Sequence, residues 1–234
     1  MTQDTNPQGQ PIGFPVPDWS GCLAIPHTPM HGRTCDLVPL DVAHSADLHA
    51  AFDADETETL WTYMPTGPFG SEADYRDWVQ TAHSSKDPLF FTVIDKSSGR
   101  AVGVASFLRI QPQNGVAEVG YITFSPALQR TPMATEAMYL MMKRVFDELG
   151  YRRYEWKCDA LNAPSRRAAQ RLGFSYDGLF KQALVYKGRN RDTAWFSILD
   201  KDWPRLKVCF ETLLAPGNFD KNGQQRMRLS TKAP

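Results

Sequence analysis

Charge of one sign is missing in bulk: Lys and Arg number 26 and Asp and Glu number 26 over 234 residues. No overall field then favours nucleic acid or an anionic membrane, and neither is expected as a partner. Long apolar runs are missing too. No stretch approaches the roughly 18–20 apolar residues of a membrane span, and Met1 to Gln10 is polar, with no signal-like apolar core. Cysteine is sparse and scattered: Cys22, Cys35, Cys158 and Cys209 form no C-x-x-C pair, which disfavours a zinc site or a disulfide scaffold. The reading is of reduced thiols and a cytoplasmic protein. There is no G-x-x-x-x-G-K-[ST], no G-x-G-x-x-G and no H-E-x-x-H, and the five histidines have no ligand spacing. A metal cofactor is not expected.

What is present is an ordinary globular composition, 42% hydrophobic and 22% charged, sufficient for one domain with extended ends. Residues 1–33 read as an arm, because Pro7, Pro11, Pro15, Pro17, Pro26 and Pro29 interrupt any regular element. A domain over 34–214 follows, and a polar tail over 215–234, where Phe219 is placed to dock. Within the domain, Thr34 to Leu40 reads as a strand and Ser45 to Ala54 as a helix. Ser71 opens a second helix with acids in its first turn. Strands follow at Leu89–Asp95, Ala101–Ile110 and Val116–Phe124. The longest amphipathic pattern is Pro132 to Leu149, with Met138, Met141, Met142, Val145 and Leu149 at helical spacing and Gly150 as its stop. Arg153–Asp159 is a strand, Ala163–Leu172 a helix ended by Gly173, two strands follow from Phe174, and a last helix spans Pro204 to Leu214. The order is β-α-α-β-β-β-α-β-α-β-β, which predicts a mixed sheet.

Two segments carry the functional signal. In Gln129-Arg130-Thr131-Pro132-Met133-Ala134, followed by Thr135-Glu136-Ala137, a strand ends and a strong helix starts. Thr131 is a good N-cap, and Pro132 suits the first helical position, whose N–H has no intrahelical partner. The amides of Met133 and Ala134 are expected to face outward with the positive end of the helix dipole, forming an anion site. Further on, Asn162-Ala163-Pro164-Ser165-Arg166-Arg167-Ala168-Ala169-Gln170-Arg171-Leu172-Gly173-Phe174 starts a helix directly after a strand. Asn162 reads as its N-cap, and Arg166, Arg167 and Arg171 as an exposed face or as phosphate contacts.

These two segments resemble the Gcn5-related N-acetyltransferase (GNAT) superfamily, in particular its RimJ/RimL-like ribosomal-protein N-terminal acetyltransferase branch. The first is similar to the family's Q/R-x-x-G-x-G/A turn, with Pro132 and Arg130 where glycines are usual. The second is similar to N-x-x-S-x-R-x-x-x-[KR]-x-G-F. Glu118-Val119-Gly120-Tyr121 and Lys187-Gly188-Arg189-Asn190-Arg191-Asp192 extend the likeness. The resemblance implies an α/β (α+β) GNAT fold: a central mixed, mostly antiparallel, twisted sheet of six to seven strands flanked by helices and splayed between the fourth and fifth. It implies acetyl-CoA, or another acyl-CoA, as co-substrate and a primary amine as acceptor. It also implies a cofactor set of Ile122, Thr123, Phe124, Gln129, Arg130, Thr131, Met133, Ala134, Thr135, Asn162, Ser165 and Arg167. Glu118 is the candidate base and Ser165 the candidate acid, because the position four residues after Ser165, often tyrosine in the family, is Ala169 here. Trp61, Tyr63, Met64 and Tyr186 are candidate acceptor contacts; core packing explains Trp61 and Tyr63 equally well. Cys158 lacks an activating partner as a nucleophile.

The acceptor argument rests on ionisation. An α-amine titrates near ~8 and a lysine near ~10.4, so at neutral pH roughly a tenth of the first is neutral and well under a thousandth of the second. An α-amine, of a protein N-terminus or a small molecule, therefore needs only a weak base or a water chain. Two alternatives stand beside acetyl transfer: a succinyl-CoA or other donor, and a non-catalytic acyl-CoA-binding regulatory protein. The arm and the tail leave a homodimer seam open.

Overall fold

The structure is a computed structural model that describes residues 4–231; the first three residues of the arm and the last three of the tail lie outside the described residues. Seven strands of one large sheet are labelled here in chain order: β1 Cys35–Pro39, β2 Leu89–Asp95, β3 Ala101–Gln111, β4 Val116–Phe124, β5 Arg153–Asp159, β6 Ser175–Tyr186 and β7 Arg189–Leu199. An eighth, Met30–His31, pairs antiparallel with β1 at the edge, and the spatial order onward is β1-β2-β3-β4-β5-β7-β6. The sheet thus has eight strands where six to seven were expected. The extra one has only two residues, too short for any period-2 pattern, and it follows Pro29. Gly32 makes its return to β1 feasible: its N–H bonds Cys35 O at 2.9 Å, and a Cβ there would stand 2.7 Å from that oxygen.

Every pairing is antiparallel except β4–β5. These two run parallel and are paired only from Val116–Val119 to Arg153–Trp156; beyond that register they part. A β-bulge in β4 helps to turn it away. Gly120 pairs with Ser106 and Thr123 with Val104, so Tyr121 and Ile122 together face Ala105, and Tyr121 takes φ +49°.

Helices cover both faces. α1 (Ser45–Asp53) and α2 (Glu72–His83) set Leu48, Phe52, Tyr75 and Val79 against Phe90 and Val104. On the other face lie α3 (Pro132–Lys143), α4 (Ala163–Arg171) and α5 (Trp203–Leu214). There Met138, Met141, Met142, Leu206 and Phe210 bury against Phe91, Phe107, Val119, Tyr154, Trp156 and Phe196. α3 continues through a π-helical turn, Arg144–Glu148, up to Leu149, and Gly150 follows at φ +68°. The methionine stripe anticipated from spacing is the buried face of this helix.

From Trp19 onward the arm lies on the domain. The Trp19 indole donates to Gln113 O at 2.8 Å, Ile25 and Met30 are buried, and the Arg144 guanidinium reaches Pro26 O, Thr28 O and Pro29 O. In the tail, the buried Asn218 donates to Leu213 O at 2.7 Å, and the Arg33 guanidinium lies 5.1 Å over Phe219. Among the described residues no helix is long and apolar enough to cross a membrane.

Candidate active site

The turn after β4 is built as its residue chemistry dictates. Thr131 caps α3: its Oγ accepts from Ala134 N at 3.1 Å and donates to Leu128 O at 2.7 Å, with Pro132 at the first helical position. This corrects the expectation for Ala134, whose amide is consumed by the cap. Met133 N, with Arg130 N and Thr131 N before it, has no hydrogen-bond partner among the described residues. Arg130 stands at φ +62°, the left-handed region that glycine occupies at no steric cost. That explains why a glycine suits the position, while Arg130 adds a cation beside three free amides. The Gln129 side chain donates to Phe124 O at 2.8 Å and so fixes the end of β4 to the turn. Thr135 is buried, with the Arg171 guanidinium 3.3 Å from its hydroxyl, so its side chain joins α3 to α4 and does not face the turn's open side.

Glu136 completes this frame. Its carboxylate accepts from the backbone amides of Arg33 at 2.8 Å, Thr34 at 2.7 Å and Cys35 at 3.2 Å, and from the Thr34 hydroxyl. The start of β1 is thereby clamped to the first turns of α3. No local signal in the sequence reports this, because the partners lie about a hundred residues away.

Along the paired segment and at its end the two strands carry different chemistry on each face. Alternation puts Glu118 of β4 and Arg153, Glu155 and Lys157 of β5 on the face that carries α1 and α2. Lys157 Nζ lies 2.8 Å from both Glu118 Oε2 and Glu155 Oε2, and Arg109 Nε lies 3.2 Å from Glu118. Arg153 pairs with Glu155 at 2.7 Å and with Asp177 at 2.5 Å. Burial pushes the Glu118 carboxyl above the usual range, and Lys157, then Arg109, pull it back. On the opposite face Trp156 and Cys158 point toward α4. The Trp156 indole donates to Ser165 Oγ at 2.9 Å, and Ser165 N donates to Asn162 Oδ1 at 3.0 Å, so Asn162 is the helix cap. Burial raises the Cys158 thiol, which opposes a nucleophilic thiolate. Glu118 and Ser165 thus approach the gap from opposite faces. Within the gap edge, Ile122 is part of the bulge, Thr123 is buried with its hydroxyl 3.4 Å from Tyr121 O, and Phe124 offers its carbonyl to Gln129. Arg167 is exposed on α4.

The candidate acceptor contacts divide. Trp61 is core: it is buried, with Phe52 and Phe69 edge-on at 5.6 and 5.3 Å. Met64 is partly buried against that same core. Tyr63 instead bridges outward, its hydroxyl donating to Leu161 O at 3.2 Å. Tyr186 donates to Asp159 Oδ2 at 2.9 Å, and Lys187 Nζ donates to Trp61 O at 2.7 Å. Burial first, then Asp159, push the Tyr186 phenol up to about 12. These three bonds tie the α1–α2 connection, the end of β5 and the β6–β7 hairpin into one rim. Lys157, Trp156 and Glu136 are the residues that motif reading missed. For Lys157 a signal existed: Arg153, Glu155 and Lys157 alternate with Tyr154, Trp156 and Cys158, placing three charges on one face of a strand whose other face is apolar.

This geometry is matched by known proteins. The sequence profile described as Acetyltransferase (GNAT) domain matches residues 36–175. The crystal structure of a GCN5-related N-acetyltransferase from Brucella melitensis superposes with a TM-score of 0.89 at 46% identity, covering 92% of this chain and 97% of that one. The uncharacterized N-acetyltransferase p20 of Bacillus licheniformis is 28% identical over 64% of this chain and 89% of its own length. The ribosomal-protein-serine acetyltransferase of Escherichia coli K12 is 34% identical over 48% of this chain and 63% of its own length. A profile match over more than half the chain, a parted β4–β5 pair and a helix start with free amides lead to one assignment: the chain belongs to the GNAT family of acetyltransferases.

Proposed function

We propose that this enzyme transfers the acetyl group of acetyl-CoA to a primary α-amine, that of a protein N-terminus or of a small molecule carrying the same group. The observation that carries the reading is the break in the β4–β5 ladder after Val119, flanked by Glu118 on one face and by Ser165 on the other. The donor fits the residues present. The amides of Arg130, Thr131 and Met133, with the Arg130 guanidinium, would hold the pyrophosphate at the start of a 12-residue helix. The parted strands would take the pantetheine arm, and the thioester supplies an activated acyl carbon with a good leaving group. A backbone N–H between Ile122 and Phe124 would donate to the carbonyl oxygen. Glu118 would accept the amine proton through water from the α1–α2 face. Ser165, oriented by the Trp156 indole, would return a proton to the departing sulfur from the α4 face. Thr123, Gln129 and Asn162 hold the frame, whereas Arg167 is free to meet a phosphate at the cofactor's outer end. The acceptor would meet the rim made by Tyr63 and Tyr186.

The α-amine preference is supported by the ionisation argument and by the name of the Escherichia coli relative, a ribosomal-protein-serine acetyltransferase. The test is calorimetry with acetyl-CoA, followed by thiol release and mass spectrometry on a panel. The panel holds peptides with free N-terminal Ser, Ala or Met, N-blocked lysine peptides and small α-amines, each with acetyl-CoA and with succinyl-CoA. Binding of acetyl-CoA and acetylation at N-termini is the expected result. Modification of lysine side chains alone overturns the α-amine assignment, faster turnover with succinyl-CoA overturns the donor, and binding without turnover points to a regulatory role.

A further inference from the structure

We propose that Lys157 is the positioning residue that keeps Glu118 in its proton-accepting form at neutral pH. The proposal rests on the reading of Glu118 as the base and adds to it the residue that makes a buried carboxylate usable there.

The need comes from the register. Glu118 and Glu155 are direct partners across the parallel β4–β5 pair, and both are buried, at 5% and 7% exposure. Two carboxylates so placed repel one another, and burial penalises the ionised form of Glu118. Lys157 is the first residue of β5 beyond the last ladder pair, Val119–Trp156, so its side chain lies at the apex of the gap. Its ammonium is 2.8 Å from both carboxylates, and only 4% of its side chain is exposed. The Trp195 indole closes the remaining side, with Nζ 3.6 Å from the ring centroid, and Phe180 stacks on that indole at 4.4 Å. Lys157 is thereby held with little freedom, and water screens the pair poorly.

The other charged groups facing Glu118 do not replace it. Arg109 of β3 is 3.2 Å away, but its side chain is 53% exposed and solvent-screened. Arg153 of β5 is taken up by Glu155 and Asp177, the latter from β6. Tyr154 lies on the opposite face, and burial drives its phenol upward, so it remains neutral. The cation that counters both the burial of Glu118 and its repulsion from Glu155 is therefore Lys157.

The sign follows. Burial moves the Glu118 carboxyl up and Lys157 moves it down. Loss of the ammonium lets the carboxyl rise further, so Glu118 stays protonated, and unable to accept a proton, to a higher pH. An opposite charge in contact is worth ~1–3 pH units. The experiment compares kcat/KM from pH 5 to 9 for wild type, Lys157→Met and Lys157→Arg with one N-terminal peptide. The acceptor's own titration is common to all three and cancels in the ratio to wild type. For Lys157→Met the ratio is expected to fall toward low pH and recover toward high pH, with the acid limb displaced upward by ~1–3 units. For Lys157→Arg, which keeps the charge, the ratio is expected to be flat. Acetyl-CoA affinity and thermal unfolding check that the site is intact; if Lys157→Met does not fold, Lys157→Gln, a donor without charge, is read in the same way. A pH-independent ratio for the uncharged variant overturns the proposal and leaves Lys157 a packing residue. Glu118→Gln separates this failure from failure of the underlying reading: wild-type turnover in Glu118→Gln removes Glu118 as the base, whereas an inactive Glu118→Gln beside a flat Lys157→Met ratio removes only the role of Lys157.

Discussion

Replacing Glu136 by glutamine tests whether the clamp between β1 and α3 is a principal support of the cofactor side. The carboxylate receives three backbone N–H groups and one hydroxyl, with Oε1 serving Arg33 and Oε2 serving Thr34 and Cys35. Hydrogen bonds to a charged acceptor contribute ~1.5–3 kcal/mol each, and a buried donor left without a partner costs ~1–3 kcal/mol. An amide of the same size can turn its oxygen toward Thr34 and Cys35, but its NH2 then faces the Arg33 N–H. One bond is lost outright and the three to Oε2 are weakened. The expected destabilisation is about 2–4 kcal/mol, which for a chain of this size lowers Tm by roughly 4–16 °C. Urea unfolding of Glu136→Gln and wild type measures the first quantity and differential scanning calorimetry the second. Acetyl-CoA affinity well below the unfolding temperature is expected to change less than about threefold, because the turn amides are not partners of Glu136. A loss of stability under about 1 kcal/mol would refute the reasoning, since the array would then be worth no more than one ordinary hydrogen bond.

Two further outcomes follow from the site. Arg130→Gly removes a left-handed φ that costs a side chain ~1–2 kcal/mol and adds ~0.5–1 kcal/mol of backbone entropy to the unfolded chain, so stability should stay within about 1 kcal/mol of wild type. Acetyl-CoA should bind severalfold more weakly by calorimetry, because the cation beside the amides is gone; unchanged affinity would place Arg130 outside the phosphate contact. Ser165→Ala strips the Trp156 indole of its acceptor and should lower kcat by no more than about tenfold, since a serine is a weak acid and a thiolate leaves readily. A drop above about a thousandfold in single-turnover thiol release would instead make Ser165 the obligatory acid.

Reading by residue types located the elements well, and where it faltered the reason is physical. Strands β2 to β5 were bounded by turn chemistry and alternation, and the structure keeps those bounds to within one residue. Trp61 was equally consistent with core or acceptor contact, because an aromatic in an irregular segment carries no periodicity; the packing of Phe52 and Phe69 decided for core. Its place in the first turn makes Ala134 read as a free amide. A cap hydroxyl chooses among several orphan N–H groups, and only the geometry of Thr131 shows which it takes.

The sequence by itself determined the features that a few neighbouring residues enforce. Thr131 and Pro132 start α3, Asn162 caps α4, Gly150 follows the π-turn after α3, and the alternation of β5 sorts its charged from its apolar side chains. Tertiary structure decided what depends on sheet order and register. Parallel pairing of β4 with β5 sets Glu118 opposite Glu155 and brings Lys157 between them, while the approach of α4 hangs Ser165 on Trp156. Capping and periodicity are energies of adjacent residues, so they are written locally. The ionisation of a buried carboxylate is set by what chain-distant strands place within about 3–4 Å of it, and that is fixed only when the sheet closes.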